Sequence, residues 1–197
     1  MRFAAVVVAF AAALSAAVPV CAQTPSRIRG TIVAVDATTM ALKSRDGRDL
    51  TLKLADNLGV AVAKAARFED IKEGDYVGSA TRKNANGDAV ALEVHYIAPT
   101  VAPGQVAWDL EPGTQMTNAN VASKVVGTSD HQLLLKYPDG EQKIVVPAGV
   151  PIVRTVAGTR ADLVPGEYVF VAAQTAPDGT ITAQRIQVSK DGVRPPQ

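Results

Sequence analysis

The sequence predicts a mainly β fold: two tandem small β-barrel modules, OB-like or Greek-key in type, packed together, with a short helical turn in each. Three observations predict it. The second half of the chain repeats the first, apolar residues alternate in short runs, and Asx-Gly dipeptides separate the runs. A sandwich of two sheets with Gly- and Pro-rich turns is the alternative architecture.

The repeat is fixed by three glycines. Gly47, Gly74 and Gly87 recur 93, 92 and 92 residues later as Gly140, Gly166 and Gly179. We assign barrel repeat 1 to residues 27–98 and barrel repeat 2 to residues 121–190. Each copy is near the lower size limit for a core that supports itself, so we expect the copies to pack together.

Short β-strands are predicted where apolar residues alternate with polar ones, as in residues 31–35, 39–43, 50–54 and 180–188. Four dipeptides that tolerate the positive φ of tight hairpin turns predict an early and a late hairpin in each copy: Asp46-Gly47, Asn86-Gly87, Asp139-Gly140 and Asp178-Gly179.

One helical turn is predicted between the two hairpins of each copy. Residues 61–67 favour a short helix, or a strand that runs into a helical turn, and Gly74 ends this segment. The matching part of the second copy contains Pro151, Gly158 and Pro165, which exclude a long helix there.

Residues 1–22 have the composition of a cleaved signal peptide. Arg2 is followed by an uncharged, Ala/Val-rich run, and Val20-Cys21-Ala22 forms a small-residue cleavage site. An uncleaved membrane anchor and a lipoprotein linked through Cys21 are the alternatives. The prediction places the protein in the periplasm, or secreted beyond it.

Charge and cysteine content exclude several classes of function. Without residues 1–22 the chain keeps 19 basic and 19 acidic side chains and loses Cys21, its only cysteine. A neutral exported chain is a poor partner for nucleic acid. It has no thiol chemistry, and after signal cleavage we do not expect an integral membrane protein.

Two segments lie outside the repeats. Residues 99–120 are rich in Pro, Gly, Thr and Asn and contain Trp108, which predicts an ordered bridge lying across both barrels. Residues 191–197 are predicted to form a loose tail.

Several stretches resemble one protein family: DIKEGDYV in the first copy, WDLEPGTQMTNANV in the bridge, and DLVPGEYVF in the second copy. The chain is similar to exported bacterial proteins of unknown function that carry tandem small β-barrel (domain-of-unknown-function) repeats. Some members are labelled as metal-transporter components. The resemblance implies a compartment and an architecture, and it brings no catalytic residues.

Metal ligands are the first candidate site. His95, His131, Asp109 and Glu111 carry suitable donor groups. The histidines hold unmatched positions in the two copies, so the alternative is a partly buried strand residue at 95 and an exposed turn residue at 131. We assign no cofactor.

No catalytic residues are assigned. The sequence has no G-x-S-x-G motif and no phosphate-binding glycine loop, and its acidic pairs lie in turn-like surroundings. We therefore predict that the protein is not an enzyme.

Surface recognition is the remaining prediction. Trp108, Leu110, Met116 and Tyr96 could form an apolar patch near the joint between the copies. The alternative is that Trp108 only wedges the barrels together. The sequence predicts a periplasmic, non-catalytic binding or assembly module for an unknown periplasmic protein or small ligand. The second hypothesis is a metal-responsive or solute-binding accessory protein of a transporter.

Overall fold

The computed structural model describes residues 23–128 and 130–196, so the predicted signal peptide and Cys21 lie outside the described residues. The described chain is mainly β-strand and forms a barrel-like closed sheet. No helix in these residues has the length and apolar character needed to span a membrane.

The first copy contains five strands and a 3₁₀ turn: β1 (Thr24–Val35), β2 (Thr39–Ser44), β3 (Asp49–Ala65), the turn Phe68–Asp70, β4 (Tyr76–Lys83) and β5 (Ala89–Tyr96). The bridge contributes β6 (Gly104–Ala107). The second copy contains β7 (Gln115–Val125), β8 (Asp130–Tyr137), β9 (Gly140–Pro147), β10 (Ile152–Ala157), the turn Arg160–Asp162, β11 (Tyr168–Thr175) and β12 (Ile181–Val188).

The strands close into two rings of five. In ring A the order is β12-β11-β1-β2-β3, and parallel pairing of β12 with β3 closes it. In ring B the order is β5-β4-β7-β8-β9, and parallel pairing of β5 with β9 closes it. Strand β10 joins the rings, because it pairs with β3 of ring A and β5 of ring B.

The sequence leaves open whether residues 27–98 and 121–190 form separate barrels or share strands, and in this pairing they share strands. Each ring takes three strands from one copy and two from the other. The reason lies in β3 and β10, which pair antiparallel with each other at the joint. The chain thus passes from one ring to the other before its late hairpin begins.

The exchange of strands between the two copies has an approximate two-fold symmetry. The pairing of β3 with β10 is centred on Ala63 and Thr155, which are equivalent positions of the repeat. Matching β-bulges lie between Ile32 and Ala34 in ring A and between Val121 and Ser123 in ring B. The repeat seen in the sequence therefore becomes a symmetry between two mixed rings.

Each ring encloses an apolar core to which both copies contribute. Ring A buries Ile32, Leu42 and Leu52 of the first copy against second-copy residues such as Val169, Val171 and Ile186. Ring B buries Val77 and Val94 of the first copy against second-copy residues such as Leu133, Leu135 and Ile144. Neither core can form from one copy alone.

The predicted local elements are present. The four Asx-Gly dipeptides lie at the turns of β2–β3, β4–β5, β8–β9 and β11–β12. A 3₁₀ turn follows β3 in the first copy and β10 in the second, where the sequence predicts a helical turn. His131 is a half-buried residue of β8, not an exposed turn residue.

The segments outside the repeats differ from their predicted form. The bridge of residues 99–120 contains β6, and its last part begins β7, which belongs to ring B. The tail of residues 191–197 is not loose along its described length, because Pro195 and Pro196 are buried. An isolated β-bridge between Lys190 and Val193 folds the tail back.

Candidate functional site

A cleft of about 550 Å³ lies at the joint between the rings. Its walls come from the end of β3, the bulge region of β5, the segment before and within β10, the bridge and the tail. The lining residues are mostly apolar: Ala65, Ala66, Leu92, Glu93, Leu110, Val150, Pro151, Ile152, Val153, Gly192, Val193, Arg194 and Pro195. Joints between structural units are common positions for small-ligand sites.

Two charged side chains line this cleft. Glu93 is buried, and one of its carboxylate oxygens lies 3.4 Å from Nδ1 of His95, two residues along β5. Arg194, in the tail, lies with its guanidinium 4.7 Å from the ring of Tyr168. Glu93 and Arg194 are thus the charged residues among the described residues that line the cleft.

His95 is held close to the backbone of β4. A Cβ placed on Gly78 would lie 2.6 Å from Nε2 of His95, so the imidazole needs a glycine at that position. Ser79, the next residue of β4, donates its hydroxyl to the Glu93 carbonyl oxygen at 2.8 Å. That hydroxyl is thus engaged with backbone and is not directed to the imidazole.

The bridge is attached to ring A by arginines. The buried Arg29 of β1 donates from Nη2 to Asp109 Oδ1 at 2.8 Å, and the guanidinium of Arg27 stacks 4.3 Å from the Trp108 ring. Arg45 donates to the carbonyl oxygens of Leu110 and Asp109. Partial burial acts to raise the pKa of Asp109, but the Arg29 hydrogen bond and the Arg29 and Arg27 charges outweigh it and keep this pKa below its usual value.

The same segment is attached to ring B. Strand β6 pairs with β7, and Arg82 of β4 forms an ion pair with Glu111 at 2.7 Å. Within the bridge, the Thr114 hydroxyl shares its one proton between the carbonyl oxygens of Trp108 and Glu111, at 2.9 and 2.7 Å, which closes a tight loop. The bridge thus contacts both rings.

The four residues of the predicted apolar patch lie in different surroundings. Trp108 packs against the arginines of ring A, whereas Leu110 lines the joint cleft. Met116 is buried in β7 opposite Val106 and Ala80. Tyr96 is half-buried beneath Arg154, and burial raises the pKa of its phenol. Leu110 is the member of this set that the cleft includes.

The four predicted metal ligands have separate partners. His95 lies against Glu93, His131 stacks on Phe68 with ring centroids 4.2 Å apart, Asp109 binds Arg29, and Glu111 binds Arg82. Across residues 23–128 and 130–196, no group of three or more His, Cys, Asp or Glu side chains is arranged to hold a metal ion.

Sequence reasoning did not select Glu93 or Arg29. Each lies two positions from a second polar residue on the same strand face, Glu93 from His95 in the mainly apolar β5 and Arg29 from Arg27 in β1, and this spacing could have drawn attention to both. The tail residues of the cleft carry no comparable pattern. Comparison with known protein families, curated proteins and solved structures finds no match.

Proposed function

We propose that the protein is an exported, periplasmic, non-catalytic binding module that takes a small, largely apolar ligand in the joint cleft. The observation that carries this proposal is the cleft itself, about 550 Å³ in volume, with apolar walls and the two charged groups of Glu93 and Arg194. A volume of this order suits a small organic ligand. The charged groups favour a ligand with one or two polar functions on an apolar body.

The arrangement gives little support to catalysis. The buried carboxylate–imidazole pair of Glu93 and His95 has its neighbouring hydroxyl, on Ser79, directed to a backbone carbonyl oxygen. A nucleophile and its base need to be within hydrogen-bond reach of each other. Binding without turnover is the function that this arrangement supports.

The fold also supports a recognition role. We propose that the rings are OB-like barrel modules, each formed of five strands with one parallel closing pair and a 3₁₀ turn in the connection between the third-strand region and the late hairpin. Such barrels serve as scaffolds for binding. Here the joint between the modules, and not a barrel face, supplies the cleft.

A direct test uses a neutral naphthylamine dye whose fluorescence rises in apolar surroundings. We expect saturable binding of one dye per chain, weakened about tenfold by Ala65→Trp, which fills the cleft from an exposed strand position. Ala122→Trp is the matched control, because Ala122 is an exposed alanine of β7 that does not line the cleft. Equal binding by the two variants would contradict the proposal.

The second hypothesis, a metal-responsive accessory protein of a transporter, has weaker support because its four candidate ligands contact different partners. It predicts that zinc or copper raises the melting temperature, since a ligand that binds only the native state stabilises it. It also predicts that His95→Ala abolishes this rise. A rise of several degrees that depends on His95 would favour this hypothesis over the apolar cleft.

A further inference from the structure

The two rings differ at one equivalent edge. In ring B the first half of β7 has neighbours on both sides, β4 over residues 115–120 and β6 over residues 115–118. In ring A the equivalent stretch of β1, residues 26–29, pairs with β11 on one side. On the other side Arg45 N donates to Arg29 O at 2.7 Å and the ladder with β2 begins at Gly30, so the open edge comprises Arg27 and the residues before it. Within the described chain, no strand takes the place of β6 there.

The equivalence rests on hydrogen bonds that recur in both rings. Gly166 N donates to Ile32 O and Ile32 N to Glu167 O, just as Gly74 N donates to Val121 O and Val121 N to Asp75 O. The Ile32 backbone groups thus face the β11 side of β1. Because these groups alternate in direction along a strand, those of Arg27 face the opposite, open edge.

The open edge borders a pocket of about 160 Å³ that is rich in arginine. Its described lining consists of Arg27, Ile28, Arg29, Ser44, Arg45, Asp46, Arg48 and Asp109, which include four arginines and two aspartates. Arg48 pairs with Asp46 at 2.8 Å, and Arg29 pairs with Asp109. The pocket keeps an excess of two positive charges.

Arg29 is the buried arginine of this pocket, and one of its side-chain N–H groups makes no hydrogen bond within the described residues. The Arg29 side chain is only 4% exposed, and among the described residues its Nε atom has no hydrogen-bond partner. A buried N–H without an acceptor costs free energy that an incoming anionic oxygen could recover. The pocket therefore favours a carboxylate-bearing ligand beside an available sheet edge.

We propose that the open edge of β1 binds an extended acidic segment of a partner protein as an added strand, with its carboxylates in the arginine pocket. The internal precedent is β6, a four-residue strand that occupies the equivalent edge of ring B. An unpaired edge is a template for strand addition, and alternate side chains of the added strand give specificity. This surface lies outside the joint cleft and does not depend on it.

The test measures fluorescence anisotropy of a labelled synthetic decapeptide of alternating glutamate and threonine, added to the purified protein. We expect binding that becomes about tenfold weaker when alternate amides of the peptide are N-methylated, because this blocks strand pairing and keeps every charge. We expect a similar loss when lysine replaces glutamate. Absence of binding by the parent peptide would overturn the proposal.

Protein variants locate the site. Replacing Arg27 and Arg48 together by glutamine should weaken binding about tenfold, since both line the pocket and both are exposed. Arg82→Gln is the control, because Arg82 is a similarly exposed arginine of ring B. Thermal melting verifies that each variant is folded, and the N-methylated peptide tests the proposal without any variant. If the double variant and Arg82→Gln lost the same affinity for the peptide, the binding would be nonspecific charge attraction and the proposal would be overturned.

Small anions separate strand addition from simple anion binding. Free glutamate and inorganic phosphate, each in millimolar excess, should displace little of the peptide, because they cannot pair with β1. Full displacement by either, or unchanged affinity of the N-methylated peptide, would show a small-anion site in place of a strand-binding edge and so contradict the proposal.

Discussion

Arg29 is the side chain on which attachment of the bridge to ring A depends most. It is buried, and its partner Asp109 is about half exposed, with a side-chain exposure of 47%. Asp109→Ala would leave the guanidinium without its carboxylate, and we expect unfolding by urea to show a loss of about 1–3 kcal/mol. Glu111→Ala breaks the more exposed pair with Arg82 and should cost less than about 1 kcal/mol. Similar losses for the two variants would contradict the assignment.

Gly30 is required by a close approach between strands. A Cβ there would lie 2.3 Å from the backbone oxygen of Lys43 and 2.6 Å from Leu42 Cδ1. Because backbone cannot move as easily as a side chain end, Gly30→Ala should cost about 1–3 kcal/mol in urea unfolding. Gly59→Ala is the matched control, since its nearest contact would be Arg185 Cγ at 3.7 Å, and it should be neutral or slightly stabilising. A neutral Gly30→Ala variant would be inconsistent with this packing.

Asp36 makes the β1–β2 turn sensitive to acid. Hydrogen bonds from the Thr39 hydroxyl and from the backbone N–H groups of Thr38 and Thr39 lower the pKa of Asp36 to about 2 from 3.8. A carboxyl whose pKa is lower in the folded state stabilises the fold above its unfolded pKa, and this contribution is lost as pH falls through the folded pKa. We therefore expect the melting temperature of the wild type to exceed that of Asp36→Asn at pH 7. The difference should shrink between about pH 4 and pH 2, and a constant difference would rule out this titration.

At the scale of elements, the two copies differ most in their third strand. In the first copy β3 runs unbroken for 17 residues, through ring A and on to the joint. In the second copy the same span is divided into β9 and β10 by a turn that contains Gly149 and lies between Pro147 and Pro151. Proline donates no backbone hydrogen bond, so a continuous ladder cannot cross this region. The second copy thus uses two strands, β9 and β10, where the first copy uses the single strand β3.

Local elements were predictable from the sequence because local chemistry determines them. Gly47, Gly87 and Gly179 have φ between 84 and 87°, which explains why Asx-Gly dipeptides identify those hairpins. Tyr76 and Tyr168 occupy equivalent positions of the repeat, and both are half-buried. Tyr76 donates its hydroxyl to Val101 O in the bridge, and the Arg194 guanidinium of the tail lies over the Tyr168 ring. Such contacts with nonrepeated segments have no periodic pattern, and sequence reasoning missed them.

The tail acts as a wall of the joint cleft. Deleting the residues after Lys190 removes the buried Pro195 and Pro196 and the four residues 192–195 that line the cleft. We expect the naphthylamine dye to bind several-fold more weakly and the melting temperature to fall by a few degrees, because apolar surface becomes exposed. A chain that lacks only Gln197 is the control. Unchanged dye affinity in the shorter chain would exclude the tail from the site.

At the scale of the whole molecule, the sequence could not decide between separate and mixed barrels. Because the copies are alike, the two late hairpins bury apolar residues at shared positions of the repeat: Val77 and Val169, Ala91 and Ala183, and Val94 and Ile186. From the sequence, either hairpin could therefore close either ring. The choice depends on the direction in which β3 and β10 leave their rings, which a repeat pattern does not encode. The joint cleft depends on the same geometry, so its position could not be predicted from the sequence either.

The exchange of strands predicts how the molecule responds to a cut in the bridge. A protease site inserted between Pro99 and Thr100 lies outside the strands and separates β1–β5 from β6–β12. Each ring then holds strands of both fragments, and each core needs apolar residues from both. We expect the cut protein to elute as one species from a sizing column in native buffer and to melt in a single transition.

The isolated first fragment supplies the matching control. It has three strands of ring A and two of ring B, too few to close either ring or bury either core. Circular dichroism and a sizing column should therefore detect no folded monomer, and addition of the second fragment should restore the β-sheet spectrum. A first fragment that folds alone as a monomer would show that each copy closes its own barrel. Mixed rings instead make the two copies one cooperative unit, because neither core is complete until both copies have contributed their strands.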